Sequence, residues 1–301
     1  MGGYFGARLS QAGADVAFLV RPGRLAQLQS RGLRIESSLG DATLTVDARL
    51  KSDCGKDFDL VLLACKAYDL DDAIDTIVPA MAGNAGVLPM LNGVAHLPLL
   101  SQRFGTDRVL GGAVKIAATL RPDGVIEHLN DWCTIVFGEQ DGRVSPRVAS
   151  LKALFDKTTV EAKISTDIHR DLWLKLVHLH TIASMTSLMR ANVGEIVRAP
   201  EGSDIFLRVL DINIEIVRQE GHEADAEFIE TYRALFANAD SKYEASLLRD
   251  IERGGPTEAD HIMGFMLERC RAHGLPDSVH LLAYTAAKAY EQRRSAKRLP
   301  G

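Results

Sequence analysis

No pair of cysteines stands at metal or redox spacing. The four, Cys54, Cys65, Cys133 and Cys270, are scattered without a C-x-x-C. That excludes a zinc knuckle, a redox dithiol or a disulfide framework and leaves free thiols used as small apolar side chains. No basic excess exists either. The 35 Lys and Arg against 40 Asp and Glu give a net charge of −5, so no cationic footprint is offered to a nucleic-acid backbone. No apolar run approaches the roughly 20 residues that span a bilayer. No charged-then-apolar leader pattern opens the chain, so no membrane association and a cytoplasmic location are expected. Repeats and low-complexity tracts are absent, which excludes a solenoid.

What is present is 301 residues, 46% of them hydrophobic and 25% charged, enough for two domains with their own cores. The first half alternates strand-like and helix-like segments. An amphipathic stretch, Tyr4 to Gln11, stops near Gly13, and VAFLV at residues 16–20 has strand length before the Arg21-Pro22-Gly23 turn. DLVLLA at 59–64 is apolar nearly throughout, the pattern of a strand buried on both faces of a parallel sheet. Residues 69–80 read as a helix and 86–91 as another strand, weakened by Pro89. Strands alternating with helices imply βαβ units and a mostly parallel, Rossmann-type sheet.

From about residue 165 the periodicity becomes helical. Segments 169–190, 203–220, 226–237, 258–273 and 278–295 carry apolar residues at helical spacing between glycine-containing turns. The expected organisation is therefore an α/β domain over 1–164 and an all-helical domain over 165–301.

The opening Met1-Gly2-Gly3 runs directly into a helix. A dinucleotide fold needs a strand, a G-x-G-x-x-G turn and a helix whose N-terminus faces the pyrophosphate. Gly2 suits the third glycine of such a turn. After the next strand, Arg21 and Arg24 stand where an NAD-specific fold would carry an acid. Guanidinium groups there suit a 2′-phosphate and so favour NADPH.

These residues resemble the ketopantoate reductase (2-dehydropantoate 2-reductase) family. The likeness runs through MGGYFGARLSQAGADV, LLACKAYDL with Lys66, MLNGV with Asn92, DLWLKL with Lys175 and VGEI at 193–196. It closes on SLLRDIERGGPTEADHIMG, which carries Ser246 and, twelve positions later, Glu258. The resemblance implies a Rossmann-type domain followed by a helical domain like the C-terminal domain of 6-phosphogluconate dehydrogenase. It implies NADPH-dependent reduction of a 2-oxo acid, 2-dehydropantoate to pantoate in pantothenate synthesis. By the same resemblance Lys175 is the general acid, and Glu258 contacts the reacting oxygen and a substrate hydroxyl. Ser246 and Asn92 hold the substrate. Gly2, Arg21, Lys66 and Asn92 serve the cofactor. The expected partner is a small 2-oxo acid; no metal is expected, and the resemblance allows a homodimer.

Residue chemistry supports those roles independently. Hydride addition to a ketone builds negative charge on oxygen, which a nearby ammonium neutralises and then protonates. Lys175 lies among Trp173, Leu174, Leu176 and Val177, where partial burial eases loss of its proton. Thr257 can cap a helix that carries Glu258 in its first turn, and Ser246 reads as a helix-interior residue. His178 and His180, at i and i+2, do not share a helical face and do not make a metal pair.

Two departures from the family pattern stand out. Downstream of the catalytic lysine, family members acting on 2-dehydropantoate carry asparagines where this chain has Leu179 and Ala183, and often another where it has Val193. A site without those amides loses its grip on a substrate hydroxyl, which points to a paralogue taking a more apolar oxo acid. A 3-hydroxyacid or opine-type dehydrogenase and a non-catalytic binding protein are the alternatives. The chain also starts partway through the family signature. An upstream strand and G-x-G, on the order of ten residues, are expected to complete the central sheet.

Overall fold

Helix α1 (Gly2–Gln11) is short but buries Tyr4, Phe5, Ala7 and Leu9. Its glycines allow that depth: a Cβ on Gly3 would meet Ile126 Cδ1 at 2.6 Å, and one on Gly6 would meet Phe18 Cε1 at 2.7 Å. Even Arg8 is buried, lying over the Tyr4 ring and donating to the Gly40 carbonyl at 2.6 Å. The computed structural model describes residues 1–299.

Strand β1 (Ala17–Leu19) ends before Pro22, which opens α2 (Pro22–Arg31) from its first turn, where a missing N–H costs nothing. Then follow β2 (Leu33–Glu36), β3 (Ala42–Leu44), β4 (Asp47–Arg49), β5 (Leu60–Leu63), α3 (Leu70–Ile77), β6 (Gly86–Pro89) and α4 (His96–Phe104). Strands β7 (Leu110–Lys115), β8 (Ala118–Leu120), β9 (Val125–His128), β10 (Thr134–Glu139) and β11 (Glu161–Ile164), with α5 (Pro146–Phe155) before the last, complete the α/β part.

The pairing is less uniformly parallel than the alternation predicts. The parallel pairs β1–β4, β5–β6, β2–β9 and β10–β11 coexist with antiparallel β2–β3, β8–β9 and β7–β10. Strand β5 also departs from expectation. Its apolar run predicts burial on both faces, yet Leu60, Val61 and Leu62 are only half-buried and Leu63 alone is fully covered. The reason lies in its neighbours: β5 pairs with β6 alone, and β1–β4 forms a separate two-stranded sheet. Strand β6 is buried throughout despite Pro89. Gly86 N and Met90 N donate toward β5, so by alternation the proline nitrogen points the other way. There only an isolated Val87–Val109 bridge leads on to β7.

The chain divides into two compact units, residues 1–92 with 96–171, and residues 93–95 with 172 onward. The second unit is built on α6 (Ile168–Met189), followed by α7 (Val193–Arg198), α8 (Gly202–Gln219), α9 (Ala226–Phe236) and α10 (Ser246–Glu252). A π-turn (Asp260–Gly264), α11 (Phe265–Ala272) and α12 (Ser278–Ser295) close it. From residue 172 to 187 helix α6 is buried nearly all round, its polar His178, His180, Thr181 and Ser184 included, which suits a helix enclosed by others. No described helix is long and apolar enough to cross a membrane.

Within that core, the His180 and His280 rings stack at 4.6 Å, both fully buried. His280 Nε2 bonds Asn213 Oδ1 at 2.9 Å, Asn213 Nδ2 donates to Thr181 Oγ1 at 2.8 Å, and Ser184 Oγ lies 3.0 Å from His180 Nε2. Both Nδ1 atoms lack a partner. Burial holds His180 well below its ordinary pKa and pushes His280 down to about 4. Above pH 6.5 the rings are neutral in both the folded and the unfolded chain, and the fold is fully stable with respect to them. As pH falls from 6.5 toward 4, the unfolded chain takes up a proton that folded His280 refuses, so stability drops. Urea unfolding is expected to show a loss of about 3 kcal/mol from His280 over that window. His280→Gln should remove that part of the slope; an unchanged slope in the variant would refute the assignment.

Candidate active-site residues

In the first unit, the N-terminus of α1 packs beside the end of β5. The ideal Cβ of Gly2 would come 3.0 Å from Ala64 Cβ, so glycine permits the close approach of helix and strand that a dinucleotide turn requires. Lys66 follows β5 directly. Its charge and burial together lower the pKa of the Met1 amino group, burial being the larger cause. The first turn of α1 holds no acidic side chain. A helix N-terminus with a lysine beside it and no acid in its own first turn fits an anionic phosphate group.

Arg21, the N-cap of α2, is exposed and pairs with Asp69 Oδ1 at 3.1 Å. That pair draws the end of β1 to the end of β5, so Arg21, Lys66 and Gly2 share one edge of the unit. Arg24 does not join them. It donates to the Gly124 carbonyl at 2.8 Å and to Gln27 at 3.1 Å, which corrects the expectation that both arginines are free for a 2′-phosphate. Asn92 lies just beyond β6, where open α/β sheets bind ligands.

In the second unit, Lys175 and Glu258 are both buried, each 8% exposed. Lys175 sits near the middle of α6. Glu258 precedes the π-turn, and its carbonyl accepts from Ile262 N at 3.1 Å. The sequence expectation of one helix over 258–273 is corrected here: the segment starts with a π-turn, a distortion frequent at functional sites. Thr257 does accept from Ala259 N, as a cap would, at 3.4 Å.

Helix α12 holds this segment in place. Thr257 Oγ1 donates to Glu291, Tyr284 and Lys288 bond Asp260 at 2.7 and 2.8 Å, and Tyr290 donates to the Gly255 carbonyl at 2.8 Å. These anchors were not legible beforehand, because they lie 24 to 35 residues away in sequence. Gly93, next after Asn92, belongs to this unit. It has φ +85°, and a Cβ there would press on the His261 ring at 3.0 Å.

Ser246 is exposed and is the first residue of α10, not an interior one. Helical periodicity misplaces it because the seven-residue α10 is too short to show a period. Tyr243, three residues earlier, ties this segment to α6 and to the start of α7. Its hydroxyl bonds His178 Nε2 at 3.1 Å, and its carbonyl accepts from Val193 N at 3.0 Å. His178 lies one turn beyond Lys175 and stacks on Tyr232 at 4.7 Å. Among the described residues no cluster of His, Cys, Asp or Glu could hold a metal ion, and all four cysteines are free.

An α/β unit with a phosphate-fitting helix start, followed by a helical unit carrying a buried lysine and a buried carboxylate, defines a two-domain oxidoreductase. Family models described as "Ketopantoate reductase PanE/ApbA" and "Ketopantoate reductase PanE/ApbA C terminal" match residues 1–142 and 167–291. The chain belongs to the ketopantoate reductase family. It is 32% identical to an uncharacterized oxidoreductase, YkpB, of Bacillus subtilis, over 98% of this chain and 97% of that one. It is 29% identical to a 2-dehydropantoate 2-reductase of Archaeoglobus fulgidus, over 93% and 91%. A crystal structure of a PanE/ApbA family ketopantoate reductase from Ralstonia eutropha superposes with a TM-score of 0.88 at 24% identity, covering 98% of this chain and 96% of that one.

Proposed function

We propose that this protein is an NADPH-dependent reductase of 2-oxo acids. The observation that carries this reading is the pair of ionisable side chains, Lys175 and Glu258, buried in one helical unit at the positions where the family pattern places its general acid and its substrate-contacting carboxylate. The carbonyl carbon would receive the hydride that a bound nicotinamide cofactor can supply. Lys175 donates its ammonium proton to the carbonyl oxygen as charge develops there, leaving a neutral amine and a 2-hydroxy acid. Glu258 orients that oxygen and any neighbouring hydroxyl. Ser246 and Asn92 hold the substrate carboxylate and carbonyl side.

The residues that would hold the cofactor are Gly2 at the N-terminus of α1 and Lys66 for the pyrophosphate, and Arg21, exchanging Asp69, for a 2′-phosphate. A protein of this kind works in the cytoplasm on a small-molecule substrate, needing neither nucleic acid nor membrane, and a homodimer is its proposed assembly.

The test is oxidation of NADPH and of NADH against a panel of 2-oxo and 3-oxo acids. Turnover of 2-oxo acids is expected, with NADPH preferred, and Arg21→Ala should reduce that preference by about tenfold, as for one exposed charge-assisted contact. Turnover confined to 3-oxo acids would replace this reading with a 3-hydroxyacid dehydrogenase.

A further inference from the structure

We propose that Lys288 of α12 is a positioning residue for Glu258: by bridging the carboxylates of Asp260 and Glu291 it fixes the chain on both sides of that side chain. The inference rests on the reductase reading above and deepens it.

Tyr284, Lys288 and Glu291 stand at i, i+4 and i+7, so one face of α12 carries all three. On that face the polar contacts form one unbroken chain. Tyr284 Oη donates to Asp260 Oδ1 at 2.7 Å, and Lys288 Nζ donates to Asp260 Oδ2 at 2.8 Å. The same Nζ reaches Glu291 Oε2 at 2.6 Å, and Thr257 Oγ1 donates to Glu291 Oε1. All four carboxylate oxygens therefore have a donor. The chain starts at the residue before Glu258 and ends two residues after it. Lys288 is the single cation in it, and it alone joins the half that holds Thr257 to the half that holds Asp260. Burial lowers the pKa of Lys288, but the bonds to the two carboxylates outweigh burial and raise it above the ordinary lysine value. At neutral pH the bridge is charged.

Such a bridge does little for the stability of the fold. The Lys288 side chain is 35% exposed and that of Asp260 67%, and ion pairs in contact with water contribute little. Its effect is geometric. Asp260 opens the π-turn, and Tyr284 lies against the turn's last residue, where a Cβ on Gly264 would meet the ring at 3.1 Å. One helix face thus grips both ends of the distorted turn and the residue that precedes Glu258. Removing the ammonium leaves two like-charged carboxylates with no cation between them, and Thr257 and Asp260 lose their common tie. A shift on the order of 1 Å in a group that orients the reacting atoms can cost about 10²-fold in rate.

The experiment is a double-mutant cycle. The kcat and KM for the 2-oxo acid that the unsubstituted protein turns over best, and the KM for NADPH, are measured for Lys288→Met and Lys288→Arg, each alone and combined with Glu258→Gln. Lys288→Met is expected to lower kcat/KM for the oxo acid about ten- to hundredfold and to leave the KM for NADPH unchanged. Lys288→Arg, whose guanidinium can still span two carboxylates, should restore most of that loss. In the Glu258→Gln background the methionine substitution should change little, because the group it positions is already gone. Circular dichroism melts report whether each variant is folded. If Lys288→Met does not fold, Tyr284→Phe, which removes one donor and keeps the ring, carries the same cycle with an expected loss of about threefold. An equal loss in both backgrounds, an arginine variant as slow as the methionine one, or a folded Lys288→Met at the unsubstituted rate overturns the proposal while the reductase reading stands. No turnover of any oxo acid by the unsubstituted protein overturns both.

Discussion

Replacing Lys175 with Ala is expected to lower kcat for the preferred 2-oxo acid by about 10²- to 10⁴-fold, the usual contribution of a positioned general acid. Affinity for NADPH should change little, since the cofactor-binding residues proposed here lie on other elements. Two companion variants separate the causes. Lys175→Met preserves the volume of a side chain that is only 8% exposed, so a matching loss of rate there excludes collapse of a cavity as the explanation. Lys175→Arg keeps a positive charge, but its guanidinium does not give up a proton near neutral pH. If stabilising the developing oxyanion were the whole role, the arginine variant would retain much of the rate. Proton donation predicts that it stays as slow as the methionine variant. A kcat within a fewfold of wild type in Lys175→Met, with unchanged melting, would remove Lys175 from the chemistry.

The largest effect on stability is expected at Gly202, the first residue of α8. A Cβ there would stand 1.7 Å from the Ile196 carbonyl oxygen and 2.7 Å from its carbon. Both are backbone atoms of α7, so no side-chain rotation relieves the clash. Gly202→Ala must push the two helices apart, which should cost about 3 kcal/mol or more, a large share of the roughly 5–15 that keeps a typical protein folded. The damage should spread. Helix α7 starts at Val193 and Gly194, which bond the 241–243 loop that leads to Ser246. Turnover in the surviving folded fraction should therefore fall as well. Gly221→Ala is the control: its φ of +87° is unfavourable for alanine, but nothing lies within 4 Å of the added carbon. A cost of about 1 kcal/mol is expected there. Chemical denaturation of the two variants side by side provides the measurement, and equal midpoints would refute the steric argument.

How much of this was legible beforehand depends on length and on distance along the chain. Helix α12 was read with both boundaries correct, and α6 within one residue at each end, because many turns of apolar periodicity average out local noise. Strands such as β4, β9 and β11 carry no readable period: three or four residues are too few to show alternation, and pairing with distant partners defines them. The candidate site residues inside contiguous motifs, Lys66, Asn92, Lys175 and Glu258, are proposed from the sequence without coordinates. Arg24 could not be told from Arg21, since what separates them is a carbonyl a hundred residues away.

From the order of residues alone came the division into a strand-and-helix half and a helical half, the family, and the candidates for the reacting side chains. Those depend on local periodicity and on short motifs, which the chain carries within a few residues. Folding decided which of those side chains are buried and that Tyr243 bonds His178 across 65 residues of sequence. Burial and long-range pairing are properties of packed surfaces, and no local window of sequence contains both partners.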